Sequence, residues 1–126
     1  MSRDHRKLEA FNVADELVLK VYAETATFPS EHRFEIRSQL RRSAVSTVTN
    51  IVEGCARRTT REYLQFINVA VGSAAETLYL LNLSSRLGIL RGEVYREMEQ
   101  KYNYLLRGLQ KVIISLEGIE SAKRIR

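Results

Sequence analysis

A chain of 126 residues is enough for one domain with a real hydrophobic core and too short for two ordinary ones. Hydrophobic residues make up 44% and charged ones 28%, the composition of a soluble globular protein, and no unbroken apolar run approaches the roughly eighteen residues of a membrane span. The formal surplus of five positive charges is compatible with an anionic partner, while a single cysteine, Cys55, excludes an internal disulfide and reads as a small buried apolar side chain in a reducing compartment.

The N-terminal stretch MSRDHRKLEA has no apolar core of the kind an export signal needs, so a cytoplasmic location is expected. Apolar residues at 8, 11, 14, 17/18, 21/22 and 25/26 then recur with helical spacing, which predicts a first helix over 6–27. Phe28-Pro29-Ser30 ends it, because proline pushes the preceding residue out of the helical region and Ser30 can cap the next helix. A second helix is predicted over 31–54, closed by Gly54 in the left-handed conformation common at helix C-termini. After the basic connection Cys55-Ala56-Arg57-Arg58, the run Thr59-Thr60-Arg61-Glu62 fits a capping box with Thr59 as N-cap. It opens a third helix over 60–87, with an inner face of Tyr63, Phe66/Ile67, Ala70, Ala74, Leu78, Leu81 and Ser85, and Gly88 closes it. Within it, Val71-Gly72-Ser73-Ala74-Ala75 is either a close passage of a neighbouring backbone or a tolerated helical glycine. A fourth helix over 92–119 carries the longest regular pattern, from Val94/Tyr95 through Met98, Tyr102, Leu105 and Leu109 to Leu116 and Ile119, with a frayed basic tail expected beyond it. Four helices joined by short connections fold most simply as one all-α domain, residues 1–126, an antiparallel up-and-down four-helix bundle.

The stretch from Arg33 to Arg61 stands apart. It holds seven arginines, no lysine and two acids, Glu35 and Glu53, so its surplus of five equals that of the whole chain. On a helix, Ile36, Leu40, Ala44, Val48, Ile51 and Val52 form an apolar face. Gln39, Arg42, Ser46, Asn50 and Glu53 recur at spacings of 3, 4, 4 and 3, the rhythm of a packing seam written in hydrogen-bonding groups. Serine and asparagine are poor helix formers, and an exposed face gains more from Lys, Glu and Gln. These five are therefore candidates for a contact between copies of the chain, the alternative being that they simply face water. By angle Arg37 and Arg41 lie on the edge of the apolar face, where they either snorkel outward or meet an acid such as Glu76 across the bundle.

Several of these residues fall into a familiar order. Phe28-Pro29, Glu31, Phe34, the run Ser38-Gln39-Leu40-Arg41-Arg42-Ser43-Ala44-Val45-Ser46, Asn50-Ile51-Val52-Glu53-Gly54, Arg57 or Arg58, Glu62-Tyr63-Leu64 and Ala70-Val71-Gly72-Ser73-Ala74-Ala75-Glu76 together resemble the four-helix bundle family encoded within intervening sequences of bacterial 23S ribosomal RNA genes. The resemblance covers nearly the whole chain and implies a left-handed four-helix bundle that assembles as a ring, commonly a homopentamer with a central channel. Many members carry Ile-Pro where this chain has Thr47-Val48, so no proline kink is implied for the second helix, and alanine is usual where it has Val52. The family label implies no activity. Related proteins accompany reverse transcriptases of diversity-generating retroelements, where a basic pentameric barrel is thought to bind nucleic acid and the polymerase, a fold-level analogy only.

Catalysis finds little support. His5 and His32 belong to no spacing that would hold a metal or form a triad, no phosphate-binding glycine loop is present, and neither cofactor nor small-molecule substrate is evident. Glu53 and Glu76 read as parts of a structural network with Arg41/Arg42 and Ser46 rather than as a catalytic pair. Two functional readings stand. In the first, Arg57, Arg58 and Arg61, repeated around one rim of a ring, bind RNA or single-stranded nucleic acid in a salt-dependent, sequence-indifferent way, arginine being suited to bidentate phosphate contacts. The competing view pairs those arginines with acids and helix carbonyls. In the second, the chain is an assembly module in which Gln39, Arg42, Ser46, Asn50 and Glu53 fix the register of subunits.

Overall fold

The computed structural model describes residues 3–125, the side chains of Arg33 and Ile125 excepted. It holds four helices, α1 (Glu9–Thr25), α2 (Ser38–Ala56), α3 (Thr60–Arg86) and α4 (Gly92–Ile125), and no strand among the described residues. Each helix packs on its neighbours in sequence, and α1 also packs on α4, so the four enclose a common core. That core is Ala10, Ala14, Leu17 and Val21 from α1, Leu40, Ala44 and Ile51 from α2, Tyr63, Ile67, Ala70, Ala74 and Leu81 from α3, and Met98, Tyr102, Leu105 and Leu109 from α4. Fully burying one such leucine contributes about 1.5–3 kcal/mol.

The helix ends obey local chemistry. Ahead of α1 lies a 3-10 turn, His5–Lys7, where Asp4 accepts the Arg6 amide at 3.0 Å. Between α1 and α2 the chain makes a second 3-10 turn, Ser30–His32, and a wide π turn, Arg33–Arg37, in place of the regular helix start expected at 31. This irregular entry buries Phe28 and Ile36 while leaving Phe34 outside. From Ser38 to Ala56 α2 is unbroken. Thr59 caps α3, its hydroxyl accepting the Glu62 amide at 3.1 Å and donating to the Glu62 carboxylate at 3.0 Å. At the far end of α3 the Ile89 amide reaches Ser84 O and the Gly88 amide reaches Ser85 O, both at 3.0 Å, with Gly88 at φ 78°, the Schellman closure that favours glycine. Helix α4 continues to Ile125, with Lys123 paired to Glu120 at 3.3 Å, where the sequence pattern predicts a frayed tail after 119.

The roles expected of two glycines are exchanged. Gly54 does not end α2 in a left-handed turn; the helix runs on to Ala56 and closes at Arg57 in extended conformation. A Cβ at Gly54 would meet Phe66 Cβ and Tyr63 Cδ1 at 3.0 Å, so this is where two helices approach too closely for a side chain. At Gly72 an added Cβ meets nothing within 4 Å, so no neighbouring backbone among the described residues passes there.

Polar groups inside the bundle are satisfied locally. Thr25, Thr47, Thr77 and Ser84 are buried and their hydroxyls each donate to the carbonyl four residues back, at 2.7 to 2.9 Å. Buried Thr77 and Ser84 also move the inner face of α3 from the expected Leu78 and Ser85 by one position, to Thr77, Leu80/Leu81 and Ser84. By length and composition α3 is long and apolar enough to cross a membrane, although one of its faces is committed to this core.

Candidate assembly groove and basic end

The α2 and α3 helices meet along a ladder of hydroxyls. On its inner side Thr77 Oγ1 lies 2.7 Å from Ser43 Oγ and 2.8 Å from the Ser73 carbonyl. On its outer side Ser46 Oγ and Ser73 Oγ share a hydrogen bond at 2.8 Å, and Asn50 Nδ2 donates to Ser46 O at 2.8 Å and to Ser46 Oγ at 3.1 Å. Small side chains at Ser43, Ser46, Ser73 and Thr77 let the two helices approach while keeping the four hydroxyls bonded. The outer side opens into a groove of about 390 Å³ lined by Gln39, Arg42, Ser43, Ser46, Ser73 and Glu76. Gln39, Arg42 and Glu76 are exposed. Arg42 and Glu76 lie in one groove and yet form no ion pair with each other or with any described residue.

The five seam residues thus divide. Gln39, Arg42 and Ser46 line the groove, Asn50 lies a turn below and braces Ser46, and Glu53 turns to Arg57 at 3.4 Å. Glu76, which the sequence groups with Arg42 and Ser46, stands beside them here; sequence reasoning missed that Ser43 and Ser73 complete the groove, although the run Gly72-Ser73-Ala74-Ala75-Glu76 carried the signal for Ser73.

Arg41 neither snorkels outward nor meets Glu76. It crosses to the end of α1, donating from Nε to Thr25 Oγ1 at 2.9 Å and from Nη2 to the Tyr22 carbonyl at 3.1 Å, with its guanidinium 4.4 Å over the Tyr22 ring. A cation at the carbonyl end of a helix is favourable, and here it replaces a conventional cap. Of the network expected among Glu53, Glu76, Arg41/Arg42 and Ser46, therefore, Glu76, Arg42 and Ser46 share the groove, while Glu53 and Arg41 turn to other partners. Arg37 is half-buried and makes no ion pair among the described residues.

At the α2–α3 connection the three candidate phosphate-binding arginines differ. Arg57 pairs with Glu53 and lies 4.6 Å over the Phe66 ring. Arg58 is exposed. Arg61 faces a shallow polar hollow that also contains Glu117, Glu120 and Arg124 of α4, so acids temper the field there. Arg3 adds a fourth cation, stacked 4.3 Å over Tyr63, and its amide donates to the Cys55 carbonyl at 2.7 Å. Cys55 is buried, its thiol 3.8 Å from Tyr63 Oη, and burial pushes both the thiol and the phenol up from their usual ranges. His5 packs edge-on to Phe11 at 4.7 Å, and His32 lies 3.8 Å from Glu31.

The helices that build this groove also carry the likeness to known proteins. Residues 6–111 match the profile of the 23S rRNA-intervening sequence protein, a span that includes the whole of α2 and α3. The chain belongs to the 23S rRNA-intervening sequence protein family. Among solved structures, the fold is similar to that of a protein of unknown function from the S23 ribosomal protein family of Bacteroides thetaiotaomicron VPI-5482, with a TM-score of 0.75 and 21% identity over 82% of this chain and 97% of that one. At that identity the likeness concerns the fold alone. No curated protein matches the chain. Neither the family nor its solved neighbour indicates an enzymatic activity.

Proposed function

We propose that this family member is a non-enzymatic, cytoplasmic, self-assembling bundle, antiparallel and up-and-down, five copies of which close into a ring through the groove of α2 and α3. The groove carries the reading. A cation and a carboxylate, Arg42 and Glu76, stand in it in no ion pair among the described residues, beside Gln39 and a bonded hydroxyl ladder, and polar groups held at a packing surface set register between subunits. The antiparallel arrangement is supported by the pairs along α1 and α4, Glu9 with Tyr104 and Lys20 with Glu97, which run in opposite chain directions. An odd-numbered ring requires a heterologous contact, in which the groove of one copy meets a different face of the next.

In such a ring Arg57, Arg58 and Arg61 would be repeated around one rim, and that rim binds RNA or another single-stranded nucleic acid through phosphate contacts. The alternative, an assembly module with no nucleic-acid role, is favoured by the Arg57–Glu53 pair and by the acids beside Arg61. Light scattering and salt-titrated RNA binding separate the two. Asn50→Leu should change the mass, because it unbraces Ser46, and changing Arg57, Arg58 and Arg61 together to Ala should leave the mass intact. Loss of RNA binding in the triple variant supports the rim; RNA binding absent from the wild type at low salt leaves assembly alone.

A further inference from the structure

The α1–α2 end of the bundle presents a different chemistry from the groove and the rim. Phe34 is 89% exposed, the most exposed large hydrophobic side chain described, and it is held out from the wide π turn that opens α2. Four residues on, Ser38 joins Tyr22, Arg41, Arg42 and Val45 around a shallow open hollow. Tyr22 is 42% exposed, and Arg41 is fixed over its ring by bonds to Thr25 and to the Tyr22 carbonyl, so the guanidinium is held in place without using an acid. Arg37, Arg41 and Arg42 make no ion pair among the described residues. Of the neighbouring acids, Glu24 pairs with Lys20 at 3.7 Å, Glu31 lies 3.8 Å from His32, and Glu35 is in no ion pair among the described residues.

We propose that this surface binds single-stranded nucleic acid, with Phe34 and the Arg41–Tyr22 stack as platforms for bases and Arg37 on phosphates. Aromatic faces set among unpaired arginines are how strands are bound without sequence preference. A docking helix would instead need a continuous apolar stripe, and among the described lining residues Val45 is the only aliphatic one. The assignment does not depend on the ring, since every residue belongs to one copy.

Fluorescence anisotropy on the full chain at low salt tests it, with a labelled uridine oligomer of about twenty nucleotides as probe and heparin as a polyanion that cannot stack. Phe34→Ala should weaken uridine binding about tenfold and leave heparin binding unchanged. Phe34→Trp should restore it. Arg37→Gln should weaken both ligands and reduce the salt slope by about one. The proposal is overturned if the wild type does not bind the oligomer, if Phe34→Ala binds it as tightly as the wild type, or if uridine and heparin binding fall together in that variant. It is equally overturned if Phe34→Ala changes the subunit mass and nothing else, which would make Phe34 a contact between copies. Mass measured on the same samples keeps this result distinct from the assembly reading: a lone subunit that binds uridine through Phe34 would remove the ring and leave this surface standing.

Discussion

The contact between α2 and α3 has two sides built from the same residue types, with opposite outcomes. On the inner side Ser43, Thr47 and Thr77 are buried and bonded to their own helices or to one another, and Gly54 lets Tyr63 and Phe66 close against α2. On the outer side Ser46, Ser73 and Asn50 are bonded, yet Gln39, Arg42, Glu76 and the open flank at Gly72 face outward, the two charged groups in no ion pair among the described residues. Hydroxyls therefore say little about which side they occupy, because each can satisfy itself on its own helix. What distinguishes the sides is the charge beyond the ladder and the space beside each glycine.

Substitutions on the two sides should separate accordingly. Gly54→Ala forces a methyl against Phe66 Cβ and Tyr63 Cδ1 and should destabilise the fold by about 1–3 kcal/mol, read as a lower urea midpoint. An unchanged midpoint would show that α3 gives way easily there. Thr77→Val removes the hydroxyl between Ser43 Oγ and the Ser73 carbonyl and should cost about 1–2 kcal/mol in the same assay. Gly72→Ala has the opposite sign: with open space for the Cβ, better helix propensity should add about 0.5–1 kcal/mol. If Gly72→Ala instead lowers the midpoint together with the subunit mass, the open flank is itself covered by another copy. Smallest in stability is Arg42→Gln, within about 0.5 kcal/mol, since no ion pair among the described residues is lost. Its effect should appear in the subunit mass.

Much of this fold could be read from spacing. The apolar repeat of α4, the N-cap at Thr59 and the closing turn at Gly88 are local devices, each fixed by a few adjacent residues, and they appear where the pattern puts them. The exchange between Gly54 and Gly72 was not legible, because a glycine's neighbours across a helix pair are decided by packing distances that no periodicity encodes. Arg41 escaped for a similar reason: its angle on α2 placed it at the edge of the apolar face, but its target, the carbonyl end of α1, depends on where another helix stops. The groove was half legible. Gln39, Arg42 and Ser46 announced themselves by spacing and Glu76 by its charge, whereas Ser73 could be joined to them only once α3 lay alongside α2.

Assembly through the α2–α3 groove is tested most plainly by the solution mass of the unmodified protein at micromolar concentration, from sedimentation equilibrium. A multiple of the 14.5 kDa subunit is expected, five copies on the reading proposed. A single species at 14.5 kDa, with the groove between α2 and α3 open to solvent, would contradict it.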